Sequence, residues 1–142
     1  MSKRIKEKLD LIPLFHKLGE AEDDDFKLII LVNTFLELLV NILINESAKN
    51  KRKIVNGNEY TYSIKLVILN EKNIIDDILF KDIDTLRKIR NKATHEPVFK
   101  LKEDDIKDLH LRKNEKLYDI CITIIGTLWN RNKNTFMKHF NL

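Results

Sequence analysis

The stretch LIILVNTFLELLVNILI, residues 28–44, decides the fold, because its length and composition suit either a membrane span or a central core helix. Asn33, Glu37 and Asn41 interrupt it at four-residue steps, and Asn45 extends the same line. A bilayer would penalise an ionisable group at mid-span by roughly 2.5 kcal/mol or more. We therefore predict no membrane association and a helix buried on most sides, with the polar line as a narrow solvent-facing edge.

The composition of the 142-residue chain predicts one all-α domain spanning residues 1–142. A chain of this length can bury a core without disulfides or metal. Hydrophobic residues make up 43% and charged residues 34%, which excludes a disordered or membrane-embedded chain. Only three glycines and two prolines occur, and this scarcity favours long helices with few tight turns.

The net charge indicates which classes of partner are compatible with the chain, and the single cysteine indicates the redox compartment. A net charge of +4 with a pI near 9.1 is compatible with an anionic partner, but it is weaker than that of a dedicated nucleic-acid binder. Cys121 sits in an apolar run and cannot form an intrachain disulfide, which favours a reducing compartment. The N-terminus shows no apolar core or cleavage site of a secretory signal, so we expect a cytoplasmic protein.

Capping residues and turn signals divide the chain into four or five helices. Ser2 is the predicted N-cap of a first helix over residues 3–18, and Gly19 its C-cap. The Asn56-Gly57 step predicts a tight turn that closes a small hairpin. The remaining predicted helices cover residues 24–47, 62–70, 75–95 and 103–133.

The stretch LRKIRNKATHEP, residues 86–97, ends the fourth of these helices. At 100° per residue, Arg90 falls inside an apolar arc. The arc consists of Leu79, Ile83, Leu86, Ile89 and Ala93. An arginine on the packed side must find an anion or acceptors there, because an unpaired buried charge costs several kcal/mol. The helix is expected to end near His95, because the residue before Pro97 avoids the α region.

An arginine and a histidine held at one helix end suit chemistry on a phosphodiester. The guanidinium can clamp phosphate through two hydrogen bonds. The imidazole sits at the negative end of the helix dipole, which favours its protonated form. Its ability to move a proton is worth about 10²- to 10⁴-fold in rate. The spacing from Arg90 to His95 is a weak signal by itself, with roughly 0.5 matches expected by chance.

The motif in its context resembles the signature of the HEPN superfamily, small α-helical domains that include many ribonucleases and toxins. The signature is an arginine followed by a polar residue, a short gap and a histidine. Arg90, Asn91 and His95 match it one by one. The sequence departs at Thr94, where relatives commonly carry alanine, and this small residue changes little.

The likeness extends beyond the motif to nearly the whole chain, about residues 9–130. Residues 62–95, with Lys65 on the helix before the motif, look like the branch related to the mannitol operon repressor. The acidic stretch and long helix at residues 18–43 resemble the leading part of the same branch. The ordered set of segments is stronger evidence than the motif alone.

The resemblance implies a four- to five-helix bundle that forms a homodimer and brings two motifs to one interfacial cleft. Active members of the family cut RNA without a metal or cofactor, using the ribose 2′-OH as nucleophile. On this basis Arg90 would stabilise the phosphorane charge, His95 would act as general base or acid, and Asn91 would orient the phosphate or the histidine. The implied function is a prokaryotic toxin or defence effector that cleaves RNA and is restrained by a cognate antitoxin protein.

Plainer interpretations of the same residues stay open. Arg90 could be a structural cation paired with Glu37 or another acid of the central helix, and a pair with Glu37 could also position the arginine for catalysis. His95 could serve only as a helix C-cap, and Lys65 could stabilise the fold rather than contact substrate. The chain as a whole could be a non-catalytic regulator or interaction module, because the mannitol operon repressor relatives share the fold and motif-like residues.

The remaining candidate sites are weaker. His16, His110 and His139 show no ligand spacing with one another or with Cys121, so no zinc site is expected. Residues 130–140 are basic with interleaved aromatics, which suits either RNA contact or an amphipathic tail. No recognition-helix pattern is present, so sequence-specific DNA binding ranks third.

Overall fold

The computed structural model describes residues 8–111 and 115–141, and this part of the chain is all-α apart from one short strand pair. The elements are β1 (Leu9–Asp10), α1 (Leu11–Glu20), α2 (Asp25–Ser47), α3 (Lys51–Asn56), α4 (Tyr62–Glu71), α5 (Asp77–His95), α6 (Glu103–Ile106), α7 (Leu117–Arg131), α8 (Lys133–Phe136) and β2 (Phe140–Asn141). Within the described residues, α1, α2, α4, α5 and α7 are the helices of ten residues or more, while α3, α6 and α8 are short connecting helices.

The central helix is α2, as its apolar stretch predicts. Asp24 caps its N-terminus by accepting the N–H of Lys27 at 3.1 Å. α2 packs against α1, α3, α4, α5, α7 and α8. Among the described residues it is the one helix long and apolar enough to cross a membrane, but other parts of the fold bury most of it. Such burial is typical of a helix at the centre of a packed core.

The polar line of α2 faces α5 over its first half, which corrects the predicted solvent-facing edge. Asn33 is fully buried, and its amide donates to the carbonyl oxygen of Leu86 at 3.0 Å. Glu37 approaches Arg90 one turn later. Both contacts join residues 53 positions apart, so α2 and α5 run parallel here. Of the four residues in the line, Asn45 at the far end is the exposed one.

The first helix begins and ends later than predicted. α1 begins at Leu11, because the two residues before it form β1 and pair in parallel with β2. The helix continues through Gly19 and has its C-cap at Ala21, so the predicted C-cap at Gly19 is wrong. The predicted N-cap, Ser2, lies outside the described residues.

The hairpin predicted around Asn56-Gly57 is also wrong, because the residues before the glycine form α3. This helix packs on α2 and buries Ile54. The N–H of Gly57 donates to the carbonyl oxygen of Lys53 at 2.9 Å and closes the helix. A glycine after an asparagine signals both a hairpin turn and a helix end, so the sequence could not separate the two.

Changing Gly57 to alanine is expected to lower the free energy of unfolding by about 1–3 kcal/mol. A Cβ at this position would overlap the carbonyl oxygen of Lys53, so the end of α3 would have to move. Gly126 in α7 is the control, since a Cβ there meets no atom within 4 Å and alanine should stabilise by about 0.5–1 kcal/mol. Urea unfolding of both variants tests this, and equal effects would contradict it.

The single helix predicted over residues 103–133 is replaced by α6, α7 and α8. A buried carboxylate of α5 helps to interrupt it. Asp82 is 0% exposed and accepts the backbone N–H groups of His110 at 2.8 Å and Leu111 at 2.9 Å. These two amides therefore bond to a side chain 28 or more positions away rather than to helical carbonyls.

An aromatic cluster holds the C-terminal segment on the central helix. The ring of Trp129 stacks on Phe136 at 5.1 Å between centroids, and Phe140 meets Trp129 edge-on at 5.2 Å. Phe140 also packs edge-on against Phe35 of α2, which in turn contacts Phe15 of α1. Edge-to-face and offset contacts are the favoured geometries of aromatic pairs, so the cluster fixes α7, α8 and β2 against α2.

Candidate functional site

The motif helix is α5, and it has the boundaries and buried face that the sequence predicts. Asp76 caps its N-terminus by accepting the N–H of Leu79 at 2.8 Å. The helix ends at His95, two residues before Pro97. All five members of the predicted apolar arc are buried. Arg90 lies among them on the packed side of α5.

Arg90 is held at the junction of α2, α4 and α5. Its Nη1 lies 3.5 Å from Oε2 of Glu37, and its guanidinium carbon lies 5.5 Å from the ring centroid of Tyr62. A quarter of the Arg90 side chain and about a third of the Glu37 side chain are exposed, at 25% and 36%. The predicted pairing with Glu37 is confirmed. The single, rather long contact leaves the other guanidinium donors available.

The aromatic ring of Tyr62 packs against the guanidinium of Arg90 at this junction. The residue is 6% exposed, and its hydroxyl is buried with no hydrogen-bond partner among the described residues. Burial, reinforced by the nearby charge of Glu37, raises the pKa of the Tyr62 hydroxyl well above its ordinary value. Tyr62 therefore stays protonated at neutral pH. Sequence reasoning missed this residue, because a tyrosine at a helix start carries no signal of its own.

Asn91 and His95 lie on a different side of α5 from Arg90 and are both exposed. Neither side chain forms a hydrogen bond or ion pair within residues 8–111 and 115–141. The nearest polar contact is that of Thr94, whose hydroxyl donates to the backbone carbonyl of Asn91 at 3.0 Å. The amide and the imidazole are therefore free to meet another molecule.

One copy of α5 does not direct Arg90 and His95 to the same point. Five residues along an α-helix correspond to a rotation of about 140° and a rise of about 7.5 Å. Asn91 and His95, four residues apart, share a side. The fold therefore brings Arg90 together with Glu37 and Tyr62, and it places Asn91 with His95, but it leaves the two groups apart.

Lys65, the remaining predicted site residue, is part of the fold rather than of this junction. It is 5% exposed, and its Nζ donates to the backbone carbonyl of Val55 in α3 at 3.4 Å. A cation at the C-terminal end of a helix is electrostatically favoured. The position therefore agrees with the fold-stabilising interpretation of Lys65.

The structure contains two carboxylate–histidine pairs that the sequence analysis does not predict. The Nδ1 of half-exposed His110 lies 3.0 Å from the buried Oδ1 of Asp82. The Nε2 of His139 lies 2.9 Å from Oε1 of Glu46. The members of each pair are 28 and 93 positions apart, so no local motif could have revealed them.

Metal and thiol chemistry find no support in the described ranges. No group of three or more metal-binding side chains occurs in residues 8–111 and 115–141. Cys121 is buried, and burial raises the pKa of its thiol to about 12, so it is unreactive at neutral pH. Comparison of the chain with family models, curated proteins and solved structures gives no match.

Proposed function

We propose that the protein is a metal-independent endoribonuclease of the HEPN type. The observation that carries the proposal is the α5 motif: a partly exposed guanidinium is fixed by Glu37 and Tyr62, and an amide and an imidazole without partners in the described ranges lie on another side of the same helix. These are a cation for phosphate, an orienting group and a proton carrier, the three parts needed for cleavage of RNA without a metal.

The proposed reaction uses the ribose 2′-OH as nucleophile. His95 takes the proton of the 2′-OH while the 2′-oxygen attacks phosphorus. The bond from phosphorus to the 5′-oxygen breaks, and that oxygen receives a proton from water, giving a 2′,3′-cyclic phosphate and a 5′-hydroxyl. The imidazolium of His95 then releases its proton to solvent. Arg90 stabilises the charge on the phosphorane, and Asn91 orients the phosphate.

The active form in this proposal is a homodimer. Because Arg90 and His95 of one chain point to different sides of α5, a shared cleft supplies the arginine of one copy beside the histidine of the other. A two-fold axis makes two such sites. Tyr62 and Glu37 act as positioning residues, since they hold the guanidinium in one orientation before RNA binds.

The biological role that fits this reaction is a cytoplasmic prokaryotic toxin or defence effector restrained by a cognate antitoxin protein. A second candidate function is a non-catalytic regulator or interaction module. It is favoured by one observation, that the charge of Arg90 is already compensated within the fold by Glu37. A regulator needs no free site at this junction, whereas a nuclease needs the guanidinium to reach phosphate.

The experiment that separates the two functions is incubation of labelled RNA with the purified full chain in EDTA. The nuclease proposal expects cutting that leaves 2′,3′-cyclic phosphate ends. A stable homodimer that cuts no RNA in EDTA or in added Mg²⁺ would contradict it and favour the regulator. In cells, the nuclease proposal expects that expression of the wild type is toxic and that an inactivating substitution relieves the toxicity.

Subunit mixing tests the shared cleft. The Arg90→Ala and His95→Ala variants are each expected to be inactive alone. A mixed dimer keeps one intact arginine opposite one intact histidine, so mixing after partial unfolding and refolding should restore part of the activity. If mass measurement shows that mixed dimers have formed but cleavage is not restored, both residues would have to act within one chain.

A further inference from the structure

Two basic segments that are far apart in the sequence meet at the C-terminal end of α2. α3 brings Lys51 and Arg52, and the turn after α8 brings Lys138 and His139. Lys51, Arg52 and His139 line a cleft of about 390 Å³ with three neutral or acidic side chains, and Lys138 lies beside this lining. Its lining residues are Asn45, Glu46, Lys51, Arg52, Asn56 and His139.

The one acid of this cleft is already compensated. Oε1 of Glu46 lies 2.9 Å from His139, and its Oε2 lies 4.0 Å from Nζ of Lys138. The hydrogen bond from His139 lowers the pKa of the Glu46 carboxyl despite its partial burial. Lys51 and Arg52, by contrast, form no ion pair or hydrogen bond with any residue in the described ranges. Lys51 acts on Glu46 through its charge alone, so the cations at the cleft outnumber its single acid, and Arg52 has no acid against it in the described ranges.

We propose that this cleft binds a phosphate group carried by a nucleotide or an RNA strand. Arginine offers a planar pair of donors to phosphate oxygens, and lysine adds a mobile point charge. The amides of Asn45 and Asn56 supply further donors at the same cleft. A volume of about 390 Å³ lies in the range of small-molecule sites, so it accommodates more than the phosphate alone.

The proposed phosphate site is separate from the α5 motif. Glu46 follows Glu37, the partner of Arg90, by nine residues of α2. This spacing corresponds to a rise of about 13.5 Å and half a turn around the helix axis. The cleft therefore does not depend on the nuclease proposal, and its test needs no cleavage.

A simpler role for the same cations is electrostatic support of α2. The C-terminal end of a helix carries partial negative charge and attracts cations, as Lys72 does by donating to the carbonyl of Ser47 at 3.1 Å. If Lys51 and Arg52 served only this end, their loss would lower stability without changing any affinity. Affinity and stability must therefore be measured on the same variants.

The test is an NMR titration of the full chain with three probes: inorganic phosphate, 5′-AMP and a short 2′-O-methyl RNA, which cannot be cut through the 2′-OH. The imidazole signals of His139 report occupancy. Removing a hydrogen bond to a charged group typically weakens binding by about tenfold or more, which is the expected effect of Arg52→Gln. The matched control is Lys53→Gln on the same helix, whose lysine is exposed and pairs with Glu59 at 3.9 Å.

Saturable shifts of His139 that weaken in Arg52→Gln and stay within about twofold in Lys53→Gln would support the proposal. If the RNA probe binds far more tightly than 5′-AMP in this Arg52-dependent way, the phosphate comes from RNA. If 5′-AMP binds as tightly as the RNA probe, the phosphate comes from a free nucleotide. Three results would overturn the proposal: no shift of His139 with any probe, equal weakening in Lys53→Gln, or a loss of melting temperature in Arg52→Gln with unchanged affinity.

Discussion

Replacing His95 with alanine is expected to lower the rate of RNA cleavage by about 10²- to 10⁴-fold, the usual loss when a general acid or base is removed. The residue is exposed and its side chain forms no hydrogen bond or ion pair within the described ranges, so the variant should keep the stability of the wild type. Cleavage in EDTA, followed by urea unfolding of the same preparations, measures both quantities.

The matched control for this change is His16→Ala. His16 is also exposed and lies on α1, where its Nδ1 lies 3.1 Å from Oε1 of Glu20. It should leave cleavage unchanged. Equal loss in both variants would point to a general effect of removing a histidine, and full activity in His95→Ala would remove the residue from the proposed mechanism.

Replacing Asp82 with alanine is expected to lower the free energy of unfolding by about 3 kcal/mol. The carboxylate accepts two backbone N–H groups and the Nδ1 of His110, and hydrogen bonds to charged groups contribute about 1.5–3 kcal/mol each. Without it, the chain at residues 110–111 loses its attachment to α5. Urea unfolding followed by circular dichroism measures the loss.

Two further variants make the Asp82 result specific. Asp82→Asn keeps one acceptor oxygen and should lose less stability than alanine. Asp108→Ala removes an exposed acid from the same connecting segment and should change stability by no more than about 0.5 kcal/mol. A loss under about 1 kcal/mol in Asp82→Ala would show that water replaces the carboxylate at these amides.

Local signals predicted the helices that carry both an apolar pattern and a cap. α2 and α5 were predicted within two residues of their observed ends, because Asp24 and Asp76 cap apolar runs whose period is that of a helix. The inward position of Arg90 follows from the same period, whereas its pairing with Glu37 was one of several alternatives and is established by the structure. The ends of these two helices and the inward position of Arg90 depend on residues within one or two helical turns.

Features that depend on distant residues could not be predicted. The break in the last helix depends on Asp82, which lies 28 positions before the amides that it accepts. Asn33 was expected at a solvent edge, but its amide is satisfied by a carbonyl of α5, and this partner is not visible in the sequence of α2. The contact between Glu46 and His139 likewise forms only when residues 93 positions apart meet in the folded chain.

The parallel pairing of β1 with β2 has a consequence for the order in which the chain folds during synthesis. Leu9 pairs with Phe140, which the ribosome adds 131 residues later. α2, α4 and α5 can associate while the chain is still being made, but β1 must wait for the last residues of the described chain. Closure of a loop this long is slow compared with local helix formation. β1 is therefore expected to remain accessible to protease until the residues of β2 have been added.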